Sequence, residues 1–483
     1  MDLKKVFDTL LYFVVLPFAA ISFCLVDLTN DSRIFIASSM IADKYYSLPY
    51  GFDAAYEVKP IGNRILNWAL YKVANTFVPF VSNHYFEFGL VAKITALVIL
   101  VACCWYVSTK IVFPYAFPFL FLSFVCQANF GILMSEWFAV LFSLVAVSMC
   151  MEESKKYTFF AGVLMVCVGL LKSITSLLLI SVICAIWLLN KKFDLRYLIA
   201  GCVTASLAFL GMCLTAWPYS IGDMLMSRLI AHVGMYDWHT VLTWFWITQD
   251  RGGFPQVMMY YAPILIIGIV AAVWVLLKAL ATEDYKKMGI VSAMWLVPIL
   301  IVLIQSEFIV YHYLVMMLPA IISVALLKNT KFVVASIGIM LIGFLLINSI
   351  FGSFTAYEYT FWHQKEQNAD TLDSRFNLTN QSLLLYLDPG DAPYYFHANS
   401  SCHYITPMPV ERNTANWDIS YLPQYKETFN CIMSYQGEYI LSDLKDKRQY
   451  FGEGILKNQS IMSMIEQNYT EVGNASWTVY KKK

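Results

Sequence analysis

Long apolar runs separated by short polar segments make up most of the first 350 residues of the chain. An apolar run of about 20 residues can cross a membrane as a helix, because each helical residue rises about 1.5 Å and the hydrocarbon core is about 30 Å thick. The pattern predicts eleven spans, at 7–28, 84–107, 111–130, 132–151, 157–171, 174–190, 197–217, 257–280, 288–306, 308–327 and 331–350. Nine or ten spans are the alternative, since 157–190 is short for two crossings.

The composition agrees with a membrane protein. Of 483 residues, 59% are hydrophobic and 14% are charged, whereas an ordinary soluble domain has about 25% charged residues. The 33 lysines and arginines balance the 33 aspartates and glutamates. The chain as a whole therefore has no basic field to attract nucleic acid, and we expect no nucleic-acid partner.

The positive residues of the short loops predict the orientation. They fall on one face of the eleven-span arrangement: Lys4, Lys5, Lys110, Lys155, Lys156, Lys191, Lys192, Arg196, Lys286, Lys287, Lys328 and Lys331. Positive loop residues stay on the cytoplasmic side, so the N-terminus is predicted inside and the C-terminus outside. The outer face then carries three polar segments, 29–83, 218–256 and the residues after about 351. We expect an integral, multi-pass membrane protein with an extracytoplasmic active site.

The segment 351–483, called the tail below, has a different pattern. Strand-like runs at Ser382–Leu387, Tyr439–Leu441 and Trp477–Tyr480 alternate with helix-like stretches such as Ile455–Gln467. This alternation predicts a small extracytoplasmic α/β domain following a membrane domain over 1–350. Six Asn-x-Ser/Thr triplets support an outer location, at Asn377, Asn380, Asn399, Asn458, Asn468 and Asn474, and a seventh begins at Asn30.

Two cysteines lie in polar sequence, Cys402 and Cys431, while the other nine fall in apolar runs. A cysteine in an apolar run behaves as a small hydrophobic residue. An outer location permits a disulfide between Cys402 and Cys431. Two separate buried thiols are the alternative.

The first outer loop, residues 29–83, begins with a helical pattern. Ile34, Ala37, Met40 and Ile41 recur at helical spacing, which predicts an amphipathic helix at the membrane surface. Asp31 is expected to cap that helix, since Asp is a common N-cap residue. The competing interpretation gives its carboxylate a chemical role.

Charged residues are dense in the rest of this loop, at Asp53, Glu57, Lys59 and Arg64. Cations at the outer surface of the membrane suit the phosphate of a lipid-linked substrate, since Lys and Arg bind phosphate strongly. A carboxylate nearby suits a general base that deprotonates an acceptor hydroxyl. The loop is therefore the predicted reaction site.

The same residues resemble a known family. Asp31, Arg33, Phe35 and Ala37, followed by Tyr56-Glu57-x-Lys59-Pro60-Ile61, are similar to the first periplasmic loop of the lipid A aminoarabinose transferase (ArnT) family. Protein O-mannosyltransferases share this outline. Both belong to the GT-C class of membrane glycosyltransferases, which take a sugar from a polyprenyl or dolichyl phosphate on the outer face.

The resemblance continues in order through residues 1–350. Three further motifs carry it: Gly162-x6-Gly169-Leu-Leu-Lys172-Ser173, Trp246-x2-Gln249-Asp250-Arg251-x-Gly253-Phe254-Pro255-x4-Tyr260-Tyr261-x-Pro263, and Tyr311-His312-Tyr313-Leu314 with Pro319. Two positions depart from the family. The family has an Asp-Glu pair at the start of the loop, whereas this chain has Asp31-Ser32, which leaves Asp53 or Glu57 as substitutes for the second acid. The family also has a Lys-Gly turn, which is Lys172-Ser173 in this chain.

The resemblance implies an inverting glycosyltransferase that uses a lipid-phosphate-linked hexose or pentose. Asp31 would accept the proton of the acceptor hydroxyl. The donor phosphate would be held by Lys59 and Arg251, with Arg64 or Lys172 in addition. The acceptor is a lipid, a glycan or a protein.

Several neighbouring residues are candidates for binding acceptor or sugar: Asp53, Tyr56, Glu57, Trp238 and His239. Trp and Tyr also anchor proteins at membrane interfaces, which is the favoured interpretation for each Trp. The alternative role of Arg251 is to form a salt bridge with Asp250 in the loop.

Two acidic residues fall within or between apolar spans, Glu136 and Glu307. An ionisable group near a membrane core is expensive and indicates function, while snorkelling to the interface is the alternative. His312 is expected to be a hydrogen-bonded packing residue rather than a ligand.

No cofactor is predicted. No His, Cys or acidic spacing is typical of a metal site, so no metal ligands are assigned. A divalent cation between the donor phosphate and Asp31 is compatible with this chemistry. The predicted cytoplasmic side carries no P-loop or dinucleotide motif, which disfavours direct use of ATP or a nucleotide sugar.

The rival function is a transporter or flippase of lipid-linked glycans. Transporters commonly show internal repeats and broken helices at the membrane midplane. The sequence shows no convincing repeat, and its charges gather at one outer face. A membrane-anchored scaffold acting through the tail is a third interpretation, but it leaves the loop cations unexplained.

Overall fold

The structure is a computed structural model that is mostly helical and carries a small C-terminal sheet. It describes residues 3–25, 30–45, 61–79, 85–126, 134–190, 192–214, 254–305, 310–387, 392–396, 398–402, 410, 420–421, 423–442 and 458–483.

Fourteen α-helices precede the sheet within these ranges. They are α1 (Leu3–Leu10), α2 (Leu16–Leu25), α3 (Asn30–Tyr45), α4 (Ile61–Phe77), α5 (Tyr85–Lys110), α6 (Ala116–Val125), α7 (Ser135–Cys150), α8 (Lys155–Leu171), α9 (Leu178–Leu189), α10 (Leu195–Leu214), α11 (Phe254–Ala281), α12 (Tyr285–Gln305), α13 (Met317–Leu327) and α14 (Thr330–Phe376). A π-helical turn, Leu11–Val15, joins α1 to α2. Two 3₁₀ segments, Ser173–Leu177 and Val310–Met316, precede α9 and α13.

Helical structure occurs in each of the eleven predicted spans, but the count of eleven is not confirmed. Of the described helical segments, four are long and apolar enough to cross a membrane: Lys4–Cys24, Glu87–Lys110, Pro263–Ala281 and Tyr285–Ile304. Six other apolar helices have only 10–17 residues. Two of these six, Ile174–Leu189 and His312–Leu327, include residues of the 3₁₀ segments.

The described residues form two compact units. The first unit draws on Met1–Asp27, Gly89–Met212 and Trp238–Thr355, and the second on Leu28–Phe88, Cys213–Asp237 and Ala356–Lys483. The described part of the first outer loop thus belongs to the same unit as the tail. Division of the chain at residue 350 into two domains remains a prediction.

Two glycines allow the close packing of α8 against α10 in the first unit. A Cβ at Gly162 in α8 would lie 2.1 Å from the carbonyl oxygen of Leu198, and a Cβ at Gly201 in α10 would lie 2.0 Å from that of Phe159. Small residues let membrane helices approach backbone to backbone. Gly162, part of the resemblance motif, therefore has a packing role.

Polar contacts in the first unit join residues that the sequence places near the inner face. Tyr115 donates a hydrogen bond of 2.8 Å to Asp8 Oδ1, and Lys110 Nζ lies 2.6 Å from Glu152 Oε1. The side of the membrane on which these residues lie remains a prediction.

The second unit contains a five-stranded mixed sheet of order β2-β1-β3-β5-β4. The strands are β1 (Leu383–Leu387), β2 (Asn399–Ser400), β3 (Tyr439–Ser442), β4 (Tyr469–Asn474) and β5 (Thr478–Lys482). Strand β1 pairs in parallel with β2 and β3, and β5 is antiparallel to β3 and β4. Helices α15 (Ala392–Phe396), α16 (Pro423–Ser434) and α17 (Gln459–Asn468) complete the described part of the tail. The three predicted strand-like runs each overlap an observed strand.

The core of the tail lies between the sheet and helices α16 and α17. Its buried members include Leu385, Ile432, Ile440 and Ile465. A disulfide joins Cys402 to Cys431 beside this core, so the alternative of two separate thiols is wrong. The bond ties α16 to the chain that follows β2.

Candidate functional site

The helix predicted in the first outer loop is present as α3, which begins at Asn30. Asp31 therefore lies inside the first turn, and its predicted place as the cap preceding the helix is wrong. A carboxylate in the first turn still interacts favourably with the helix dipole. Its side chain lies outside the described set.

The predicted one-sided burial of α3 is also wrong. All six residues of 36–41 are buried, including the polar Ser38 and Ser39. The reason is tertiary, because α3 packs against both α4 and α15. The apolar periodicity of the sequence reveals one packed face and not the second.

Arg33 is the point where the loop helix meets the tail. Its side chain is 4% exposed, and Nη1 donates a hydrogen bond of 3.4 Å to the hydroxyl of Tyr395. The guanidinium carbon lies 5.9 Å from the ring centroid of Tyr394. Burying a cation is costly without such partners. The sequence identified Arg33 as a motif residue but not its contact with the tail.

Helix α4 carries a buried polar row, Asn63, Arg64 and Asn67. Asn67 Nδ2 donates a hydrogen bond of 2.8 Å to the Asn63 carbonyl oxygen. Arg64, predicted to bind the donor phosphate, is only 7% exposed. Near the C-terminal ends of α3 and α4, Lys72 Nζ lies 2.7 Å from Asp43 Oδ1.

A buried charge cluster, Glu136, Lys172 and His312, lies in the first unit. Lys172 Nζ is 2.5 Å from Glu136 Oε1 and 3.0 Å from His312 Nε2. The Ser135 hydroxyl donates to the other carboxylate oxygen of Glu136 at 2.8 Å. Because an ammonium only donates hydrogen bonds, His312 Nε2 must accept here, which places the ring proton on Nδ1.

Three different elements carry these side chains. Glu136 lies in the first turn of α7, and His312 lies in the 3₁₀ segment before α13. Lys172 follows α8 in an extended conformation, with φ −152° and ψ 119°. The sequence places all three positions at outer ends of predicted spans, and the structure brings these ends into contact.

The cluster decides two of the alternatives left by the sequence. Glu136 is 0% exposed and paired with Lys172, so it does not snorkel to the interface. His312 is 1% exposed and packs with Lys172, which confirms its predicted packing role. The sequence singled out the three residues separately, and nothing in it paired them.

Most other predicted site residues lie outside the described residues: Asp53, Tyr56, Glu57, Lys59, Trp238, His239, Asp250, Arg251 and Glu307. Their roles remain predictions. Within the described ranges, no three His, Cys, Asp or Glu side chains group as a metal site would require.

Sequence reasoning missed a titratable group on α14. His363 Nδ1 lies 3.6 Å from Glu366 Oε2. Burial raises the pKa of the Glu366 carboxyl, while His363 and Arg33 partly oppose that rise. Burial also raises the pKa of Asp370 one turn further on. Nothing in the local sequence showed that these acids would be partly buried.

Comparisons with known proteins give two structural neighbours. No protein-family model matches the chain, and no curated protein matches it in sequence. One neighbour is the oligosaccharyltransferase AglB from Archaeoglobus fulgidus in complex with an inhibitory peptide and a dolichol-phosphate, with 11% identity, a TM-score of 0.46, and coverage of 100% of this chain and 75% of that one. The other is the A. fulgidus oligosaccharyltransferase in the apo form, with 10% identity, a TM-score of 0.45, and coverage of 99% and 75%. Neither neighbour is an aminoarabinose transferase, so the predicted resemblance to that family is not confirmed.

Proposed function

We propose that this chain is a membrane glycosyltransferase that moves a sugar from a polyprenyl- or dolichyl-phosphate donor to an acceptor hydroxyl on the outer face of the membrane. The proposal rests on the ordered motifs in the sequence. One structural observation supports it most: Lys172, a residue of those motifs, is held in a buried charge cluster inside an apolar helical unit. Ionisable groups in such surroundings are expensive and generally functional.

The proposed reaction is a single displacement that inverts the anomeric centre. Asp31 accepts the proton from the acceptor hydroxyl, whose oxygen forms a bond to the anomeric carbon. The bond between that carbon and the phosphate oxygen breaks, and the electron pair leaves with the lipid phosphate. Lys59, Arg251 and Arg64 stabilise this leaving charge.

Lys172 has a more constrained role in this proposal. Its ammonium is paired with Glu136, so only part of its positive charge is available to a phosphate. We assign Glu136 and His312 the role of holding Lys172 in one orientation. An ammonium fixed in this way needs little reorganisation when charge develops on the phosphate.

The tail supports the outer location. Disulfides form and persist in oxidising compartments outside the cytosol, and Cys402 and Cys431 are bonded. An extracytoplasmic tail agrees with the positive-inside prediction from the loops. The acceptor class stays open between lipid, glycan and protein.

The test is a transfer assay on the full chain reconstituted in vesicles with a labelled polyprenyl-phosphate sugar. With an acceptor present, we expect release of free polyprenyl phosphate and movement of the labelled sugar from the donor to a hydroxyl of the acceptor. The Lys172→Ala variant should lower this rate, whereas Lys156→Ala, an exposed lysine on the predicted inner face, should not. An intact donor that moves between leaflets would instead establish the flippase.

A further inference from the structure

The tail presents two adjacent tyrosines to the loop helix α3. Tyr394 and Tyr395 lie in α15, which follows the carboxyl end of β1, and both are buried. The Tyr386 hydroxyl donates a hydrogen bond of 3.0 Å to the Ala398 carbonyl oxygen. This bond ties strand β1 to the chain that leaves α15, so the short helix is fixed on the sheet.

The tyrosine pair is also supported from its other side. Tyr395 packs on Trp477 with ring centroids 5.2 Å apart, and Phe396 packs on the same indole at 5.3 Å. From α14, Lys365 Nζ lies 5.4 Å from the Trp477 ring centroid. Aromatic pairs at these separations are attractive and pack with defined geometry. Tyr395 is therefore a fixed hydrogen-bond partner.

Arg33 connects this support to the chemistry proposed for α3. Its guanidinium contacts both tyrosines, and Arg33 is only two residues from Asp31 in the same helix. Two residues of α-helix advance about 3 Å along the axis. Any shift of the α3 backbone at Arg33 would therefore move the backbone of Asp31 by a similar amount.

The opposite end of α3 has a weaker connection. Asp43 pairs with Lys72 of α4, and these side chains are 28% and 48% exposed. Exposed ion pairs contribute little, about 0–1 kcal/mol. The buried contacts of Arg33 lie at the end of α3 that carries Asp31.

We propose that Arg33 and Tyr395 are positioning residues through which the tail orients Asp31. This inference rests on the proposed function, since it assigns the tail a part in that reaction. Neither residue touches the reacting atoms. Their effect passes through the helical backbone of the first turn of α3, and the tail is a working part of the enzyme rather than an appended domain.

The test compares two tyrosine variants that each lose a single buried hydroxyl. Tyr395→Phe removes the hydroxyl that accepts the hydrogen bond from Arg33 Nη1. Tyr469→Phe is the matched control, because Tyr469 is equally buried in the tail and donates to the Gly437 carbonyl oxygen at 3.0 Å. Arg33→Lys keeps the positive charge but loses the planar guanidinium group. It tests the same contact from the side of α3, so the test does not depend on Tyr395→Phe folding.

Hydrogen exchange of the full chain in detergent provides a readout independent of catalysis. Exchange of the amides at the start of α3 should be about two- to tenfold faster in Tyr395→Phe and Arg33→Lys, which corresponds to loss of one ordinary hydrogen bond. Tyr469→Phe should leave exchange in α3 at the parent rate. Unchanged exchange in both Tyr395→Phe and Arg33→Lys would overturn the anchoring contact.

Kinetics test the positioning role. In Tyr395→Phe, kcat should fall by about tenfold or more with the donor KM within about twofold, since small misplacements of a catalytic group cost rate rather than substrate binding. The double variant Arg33→Lys/Tyr395→Phe should be little slower than either single variant, because both act through one contact. An equal loss of kcat in Tyr469→Phe would overturn the inference. A parent protein that transfers no sugar would refute the proposed function. The hydrogen-exchange measurement would still show whether the contact between Arg33 and Tyr395 anchors α3.

Discussion

Lys172 and Glu136 form an ion pair of 2.5 Å between Nζ and Oε1, with the carboxylate fully buried inside the first unit. Removing one partner of such a pair leaves an uncompensated charge, which costs about 3–5 kcal/mol. Glu136→Gln should therefore lower the thermal unfolding midpoint of the detergent-solubilised protein strongly. The double variant Glu136→Gln/Lys172→Met should recover part of that loss. A single variant as stable as the parent would show that the pair is not buried as described.

Asp31→Asn tests the proposed base. Asn keeps the size of the side chain but cannot accept a proton, and loss of a general base lowers rates by about 10²–10⁴-fold. The melting temperature should stay near that of the parent. Asp43→Asn serves as the control, because it removes a carboxylate from the far end of the same helix, and its turnover should be close to normal. A near-normal rate in Asp31→Asn would transfer the search for the base to Asp53 or Glu57.

Lys59→Ala and Arg251→Ala test the donor-binding residues. Each variant should lose a charge-assisted hydrogen bond to phosphate, about 1.5–3 kcal/mol of binding free energy. Titration with the polyprenyl-phosphate donor would measure this loss in folded protein. If donor affinity is the same in parent and variants, both residues have a structural role in their loops.

Gly162→Ala tests the packing of α8 against α10. The added Cβ would lie 2.1 Å from the Leu198 carbonyl oxygen, so the helices must separate, at a cost of about 1–3 kcal/mol. Gly211→Ala in α10 is the control, since its Cβ would meet no atom within 4 Å. Thermal unfolding should show a loss for Gly162→Ala only. Equal stability of the two variants would contradict the close crossing.

Glu366 predicts a pH dependence of stability. Burial raises the pKa of this carboxyl above its ordinary value of 4.5, so the folded state binds the proton more tightly than the unfolded state. The stabilisation of the folded state by the protonated Glu366 carboxyl is complete below pH 4.5. It is lost as the pH rises through the higher pKa of this carboxyl in the folded state. Glu366→Gln should flatten the decline in unfolding midpoint as the pH is raised above 4.5. An equally steep decline in the variant would assign it to other groups, of which Asp370 is the nearest candidate.

Local patterns in the amino-acid sequence predicted many of the helices and strands. Apolar runs located helical segments in all eleven predicted spans, because hydrophobic periodicity and length are local properties of a chain. The same kind of pattern located α3 and the strands of the tail. The polar setting of Cys402 and Cys431 also narrowed the disulfide to one pair, although it left bonding undecided.

The contacts between polar groups became apparent from the packing of distant elements. Glu136, Lys172 and His312 are far apart in sequence, and their contact depends on how the three elements that carry them pack against one another. Arg33 and Tyr395 are separated by 362 positions, and no local pattern encodes such a pairing. Hydrophobic periodicity reports which face of an element is buried, but the partner of a buried charge is set by the packing of distant elements against one another.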